Sequence, residues 1–346
     1  MKRLFYLFLV CGLFFSFGSY SENEENKPKP NLYYQPKKVT PFHQYKQQLN
    51  KKKHKQHNVN SRNKQKGKKK KKHNTPYDHQ VYLAKSNDGL KWKVNASPLY
   101  QHASVPDIVR LKNGTLLIYF VDWSGQDVVK EDHYLSVAKS TDQGKTWWRT
   151  RVKILSRKGD GRAVDPNAIV LKNGKVKLFY LGNFGRPNPP NQPAKVHHIY
   201  SATSTDGITF KEDPGVRFSH PKVTDPDVIQ TPLGWKMFVT EKQTNLMASS
   251  TDGKTFTLAP KPASTNGAIS KTIAMSGGYR MYKCSRDGLR SQFTKDFQTW
   301  RDEGVRIKLK GGMGPVCDPG IVKLKDGSYL MVLKTFMKDN QQDRPR

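Results

Sequence analysis

The sequence predicts an all-β fold, a closed ring of five four-stranded sheets, and three observations predict it. The stretch STDQGKTW, Ser140 to Trp147, recurs as SNDGLKW, STDGITF, STDGKTF and TKDFQTW, which sets Asp88, Asp142, Asp206, Asp252 and Asp296 at spacings of 54, 64, 46 and 44 residues. A second repeat fills the intervals: VPDIVRLKNG from Val105, DPNAIVLKNG from Asp165, DPDVIQTPLG from Asp225, AISKTIAMSG from Ala268 and DPGIVKLKDG from Asp318. The two ends of the repeat region are complementary halves of one such unit.

The chain begins with Met1, Lys2 and Arg3, an apolar run from Leu4 to Phe17, and small residues at Ser19 and Ser21. This pattern is that of a secretory signal peptide over residues 1–21, cut near Ser21. Cys11 sits inside the apolar run behind Leu9 and Val10, a signal core rather than a lipidation site. No later segment approaches 18 apolar residues, so no transmembrane segment is expected and the product is secreted or periplasmic.

Residues 22–75 carry 17 Lys and Arg against 3 acids and almost no aliphatic side chains. Such a segment cannot bury enough apolar surface to offset its ordering entropy, and reads as a disordered basic arm. Of the formal +33, +17 remains on residues 76–346, so the folded part is basic too. Cationic charge of this size serves solubility or attracts polyanions, an acidic or sulfated glycan or an anionic surface. Specific nucleic-acid binding is not expected, because no base-reading motif interrupts the lysine runs.

Within residues 76–338 each aspartate motif follows a β-rich run (VYLAK, YLSVAK, HIYSAT, NLMASS) and precedes another extended segment, so it forms a hairpin turn. Its aspartate accepts backbone N–H groups, its glycine supplies positive φ, and the terminal Trp or Phe packs under the sheet. After each glycine of the second repeat comes an apolar strand. One unit is then four strands, a propeller blade. The fragment from His79 to Pro98 supplies the last two strands of a unit, and Cys317 to Met337 the first two. Joined, they complete a fifth blade and close the ring without exposed edges. Residues 339–346 are a short polar tail.

With STDQGKTW and its four weaker echoes, the chain resembles the Asp-box (BNR) repeat proteins, the sialidase-like propellers, over residues 79–337. Sialidases have six blades, an arginine triad, a paired tyrosine and glutamate, and an FRIP-type motif. This chain has five blades and no FRIP, and offers Arg162, Arg280, Arg286 and Arg290 as candidates for an anion grip. Five blades with DP aspartates opening the inner strands resemble the arabinanase, xylosidase and invertase glycosidase clan. That resemblance implies three carboxylates at the central mouth, one from each of the first two blades and a glutamate acid from a later one.

The direction of the strands places Asp107, Asp165, Asp225, Asp227 and Asp318 around the mouth. The ends of second strands add Asp122, Glu241, Lys242, Ser285, Arg286 and Lys334, and the aspartate turns lie on the opposite face. Blade 4 breaks the carboxylate pattern with Ala268 and Ser270. Glycoside hydrolysis needs one protonated and one ionised carboxyl, and mutual repulsion raises the pKa of one of a close pair. In the catalytic reading Asp107 is the base, Asp165 orients and tunes, and Glu241 or Asp225 is the acid, with Asp122, Arg162, Asp227, Lys242, Arg286, Asp318 and Lys334 as substrate contacts. In the structural reading the DP aspartates cap the turn that opens each blade.

His102, His133, His197, His198 and His220 lack metal-ligand spacing, and no cofactor is expected beyond a Ca²⁺ that the mouth carboxylates would suit. The proline-rich stretch at 188–193 overhangs the mouth or is a surface connection. Cys284 and Cys317 come close on adjacent blades, where an oxidising compartment permits a disulfide. The expected function is a secreted glycosidase-like propeller acting on or binding a carbohydrate. The alternative is a non-catalytic glycan-binding or envelope-associated module held by its polybasic arm.

Overall fold

Alternating apolar residues on the repeat strands set the architecture, since each strand buries one side against its neighbouring blade. The computed structural model describes residues 76–124, 134–155, 162–184, 196–308 and 315–337. The expected signal peptide, basic arm and polar tail, the 188–193 stretch, His133 and the Arg162 side chain lie outside the described residues. Among the described residues no helix is long and apolar enough to cross a membrane.

Five antiparallel sheets form a five-bladed β-propeller. Blade 1 runs from the inner strand Ala103–Arg110 through Leu116–Asp122 and Tyr134–Ser140 to Trp148–Arg151. Blade 2 comprises Arg162–Val170, Val176–Phe184, Val196–Ser204 and Thr209–Glu212, and blade 3 comprises Thr224–Thr231, Gly234–Glu241, Thr244–Ser250 and Thr257–Leu258. Blade 4 comprises Ala268–Met275, Gly278–Ser285, Gly288–Thr294 and Arg301–Ile307. Blade 5 takes Cys317–Lys323 and Tyr329–Phe336 from the C-terminal side, then His79–Ser86 and Lys93–Val94 from the N-terminal side. The closing seam is an unbroken ladder from His79 opposite Phe336 to Ser86 opposite Tyr329, as the split unit requires. Blade 1 is also tied to blade 2, because Lys153–Leu155 adds a parallel strand to the outer edge of Thr209–Glu212.

The aspartate turns act as wedges between blades. Asp88 accepts N–H bonds from Leu90 and Lys91, Asp206 from Ile208 and Thr209, and Asp296 from Gln298 and Thr299. Asp142 and Asp252 are held the same way, by Lys145, Thr146 and Lys254. These bonds favour the ionised carboxylate and lower all five pKa values, that of Asp88 to about 2. Each turn fits under the second strand of the preceding blade. Tyr119 donates to the Gly207 carbonyl at 2.8 Å and Tyr282 to that of Gly89 at 2.7 Å, while Phe179 meets Phe256 and Phe238 meets Phe297. Gly207 has φ of 74°, and a Cβ there would lie 2.5 Å from Leu117 Cδ1, so only glycine fits.

Each inner strand is bulged near its start, where Val105, Asp165, Asp225, Ile269 and Asp318 take φ between 45° and 53°. Aspartate tolerates this left-handed region better than most residues, which accounts for its use at three of five equivalent sites. Val105 and Ile269 are β-branched there, at a cost of about 1–3 kcal/mol each that the closed ring must hold.

Candidate functional site at the central mouth

The bulges turn the first residues of all five inner strands toward the ring axis, where they line a small, partly open cavity of about 30 Å³. Its walls are Val105 to Asp107, Asp165 to Asn167, Asp225 and Pro226, Ile269 to Lys271, and Asp318 and Pro319. Two layers of polar side chains follow from the two-residue repeat of the strands.

The outer layer holds Asp165, Asp225, Asp318 and, from the second strand of blade 5, Lys334. The Lys334 ammonium lies 2.5 Å from Asp318 Oδ2, and the Asp225 N–H donates to Asp165 Oδ2 at 3.3 Å. Burial pushes the Asp165 carboxyl up to about 6, with the charge of Asp318 adding to it. Burial, then the charges of Asp165 and Asp318, hold Asp225 well above the carboxylate range. Burial alone would lower Lys334, but the three carboxylates outweigh it and its pKa is raised. Beside it, His79 is pushed down to about 3, by burial first and Lys334 second, and stays neutral with Nδ1 2.7 Å from Ser104 Oγ.

The inner layer is Asp107, Asn167, Asp227, Lys271 and Gly320, and it ties blades together. Asp107 Oδ2 accepts from Ala168 N at 2.7 Å, Lys271 Nζ at 2.8 Å and Asn167 Nδ2 at 3.1 Å. Asn167 Oδ1 accepts from Val228 N at 3.0 Å, and Asp227 Oδ2 accepts from Ser270 and Thr272 hydroxyls. Burial pushes Asp227 up to about 6. The ion pair joins blades 4 and 1 across blade 5, where Gly320 leaves the room: a Cβ there would lie 2.8 Å from Asp107 Cα.

The sequence expectation that Asp107 is the base is narrowed by this geometry: the residue is 3 % exposed and its Oδ2 takes three donors, leaving only the buried Oδ1, which accepts no hydrogen bond. Asp227 is likewise turned into the ring. Glu241 and Lys242 sit at the hairpin joining the second and third strands of blade 3 and do not line the cavity. Arg286 is exposed at the matching hairpin of blade 4. Asp122 is buried at the end of its strand, where Ser124 and Ser136 hydroxyls and Arg149, at 3.5 Å, hold it inside blade 1. Arg280 lies on the opposite side, against Gly89 and paired with Glu303 at 2.7 Å, and Arg290 is taken by Asp287 in the hairpin before it and Asp302 on the outer strand, so no arginine triad forms from them.

One feature escaped the sequence. Aligning blade 4 by Gly277 shifts it by one residue. The strand pairs Met275 with Gly278 as blade 3 pairs Thr231 with Gly234, so Ile269 and Lys271, not Ala268 and Ser270, are the equivalents of the mouth aspartates. A hairpin loop of two residues in both blades was the signal available. As the sequence permits, Cys284 and Cys317 form a disulfide between blades 4 and 5, Cα to Cα 5.0 Å, beside Asp318.

The carboxylates that would supply oxygen ligands to Ca²⁺ face Lys334, which takes the cationic place among them. Among the described residues no group of three His, Cys, Asp or Glu side chains is arranged to hold a metal ion.

No protein-family model matches the chain, and no curated protein matches it. Solved structures do. A thermostable family-43 glycoside hydrolase superposes with TM-score 0.54 at 10 % identity, over 68 % of this chain and 89 % of that one. A putative glycoside hydrolase from Bacteroides ovatus gives 0.52 at 12 %, over 68 % and 86 %. A protein of unknown function from Dyadobacter fermentans gives 0.52 at 19 %, over 74 % and 84 %. At these identities the likeness is one of fold.

Proposed function

We propose that this chain is an exported glycosidase-like propeller that binds a terminal sugar unit at the central mouth and cleaves its glycosidic bond with Asp225 and Asp165. The observation that carries the reading is the pair itself. Two carboxyls share the cavity, one held protonated and the other titrating near 6, which is how one site supplies an acid and a base at the same pH. Asp225 gives its proton to the leaving oxygen. Asp165, ionised, takes a proton from the attacking water or attacks the anomeric carbon itself. Lys334 and Asp318 fix the charge beneath them. The propeller fold shared with glycoside hydrolases supports the class of reaction.

With Asp225 protonated, two carboxylates still stand against one ammonium and disfavour a sulfate or carboxylate on the bound unit, so that unit is neutral. The test is hydrolysis of neutral, sialylated and sulfated glycans by the wild type and by Asp225→Asn. Cleavage of a neutral terminal sugar, lost in the variant, is expected. Undiminished cleavage by Asp225→Asn overturns the assignment. A second reading, a glycan-binding propeller without turnover, is favoured by the inner carboxylates of Asp107 and Asp227 being bonded into the ring. It takes over if glycans bind at the mouth and no substrate is cleaved.

A further inference from the structure

We propose that the face opposite the mouth is a track for a linear anionic polysaccharide, running across blades 5, 1 and 2. This reading does not depend on chemistry at the mouth. Strand pairing puts the loops between first and second strands on that face together with the aspartate turns, as Leu116 opposite Ser140 shows in blade 1. Three successive loops carry an exposed lysine at one position: Lys325 in blade 5, Lys112 in blade 1 and Lys172 in blade 2. They form a continuous row. The Lys325 stem lies over Gly114, whose missing Cβ leaves its place, and Lys112 Nζ donates to the Lys172 carbonyl at 2.5 Å.

Beside this row stand the exposed Lys91 and Lys145, in the turns of blades 5 and 1. The carboxylates of those turns, Asp88 and Asp142, point back into backbone N–H groups. Lys85 lies directly opposite Lys93 on the third and fourth strands of blade 5. Like charges in that position weaken a sheet, so folding does not explain them, whereas a polyanion partner does. The corresponding loops of blades 3 and 4 hold Pro232 with Leu233 and Ser276 with Gly277. The loop lysines therefore form an arc over blades 5, 1 and 2, and the exposed Lys254 and Lys295 stand apart from it in the aspartate turns of blades 3 and 4. An arc suits an extended chain of anionic groups, while a flat anionic membrane would be met by cations on all five loops. The mouth, with its carboxylates, offers such a polymer no second site.

The experiment measures heparin affinity of the full chain at about 150 mM salt and its salt dependence. It compares Lys112→Gln/Lys172→Gln/Lys325→Gln with a control on the mouth face, Lys222→Gln/Lys261→Gln/Lys308→Gln. The first variant should bind about tenfold more weakly with a shallower salt slope, as loss of three charge contacts requires. The control should change less than about twofold, and Lys112→Arg/Lys172→Arg/Lys325→Arg should bind like the wild type. Thermal melts show that each variant is folded. Equal losses in the two glutamine variants, or no loss in the first, overturn the proposal by assigning binding to diffuse charge. Unchanged heparin binding with lost binding to phosphatidylglycerol vesicles overturns it in favour of a membrane surface.

Discussion

Replacing Lys271 by Met tests whether the inner ring is a structural clamp. Methionine fills the lysine stem, so no cavity opens and the change isolates the charge. In the wild type the ammonium is 2.8 Å from Asp107 Oδ2 and both side chains are buried, at 7 % and 4 % exposure. Removing one partner of a buried pair costs about 3–5 kcal/mol, because the survivor stays charged without compensation. Here Asp107 keeps the Ala168 N–H at 2.7 Å and the Asn167 amide at 3.1 Å, which places the loss at the lower end, about 3 kcal/mol. Asp107→Asn should also destabilise, but less, since Asp227 remains near the ammonium. In Asp107→Asn/Lys271→Met neither member of the pair is left without its partner, and the double variant should be more stable than the two losses added, by about 1–3 kcal/mol of coupling. Denaturant unfolding of the four proteins at one pH gives the cycle. Additive losses, or less than about 1 kcal/mol for Lys271→Met, refute the clamp. Full loss of turnover in a stable Asp107→Asn restores that residue as base.

Asp225→Asn should raise the melting temperature near pH 7.5 and leave it unchanged near pH 4. The folded-state pKa of Asp225 is raised, so its carboxyl supports folding below the unfolded value of about 4 and that support is lost as pH rises through the folded value. The aspartate turns act in the opposite sense: Asp88 supports folding above about pH 4, and this support fades as pH falls through about 2. A melting profile without a decline between about pH 4 and 7 contradicts the raised mouth carboxyls. Gly207→Ala should cost more than about 2 kcal/mol, from its 74° φ and the 2.5 Å approach to Leu117; a cost under about 1 kcal/mol means the turn is not wedged. Cys284→Ser/Cys317→Ser should lose about 3–4 kcal/mol by freeing the 33-residue loop they close, and an unchanged melt denies the bond its role.

The five blades and their closure were legible because turn chemistry is local: an aspartate, a glycine and a terminal aromatic specify one hairpin wherever they occur. The mouth was legible only as a set of positions. Asp165, Asp225, Asp318 and Lys334 converge as strand direction requires, and the structure adds how their charges divide. Asp107 looked functional because it stands off the register of the DP aspartates. That offset places it one layer deeper, facing Lys271 from a blade 164 residues away in sequence, a contact no local pattern encodes. Lys271 itself was hidden by a one-residue difference in a hairpin. Glu241 was drawn to the mouth by the direction of its strand, which ends on that face, but its place in the hairpin keeps it out of the cavity.

The most direct measurement is the titration of the mouth carboxyls, followed by ¹³C NMR of aspartate-labelled protein with Asp165→Asn and Asp225→Asn used for assignment. The account predicts that Asp165 titrates near 6 and Asp225 above it, so that one proton remains in the mouth at neutral pH. Midpoints for both below about 4.5 would leave no acid at the site and contradict a hydrolytic mouth built on this pair.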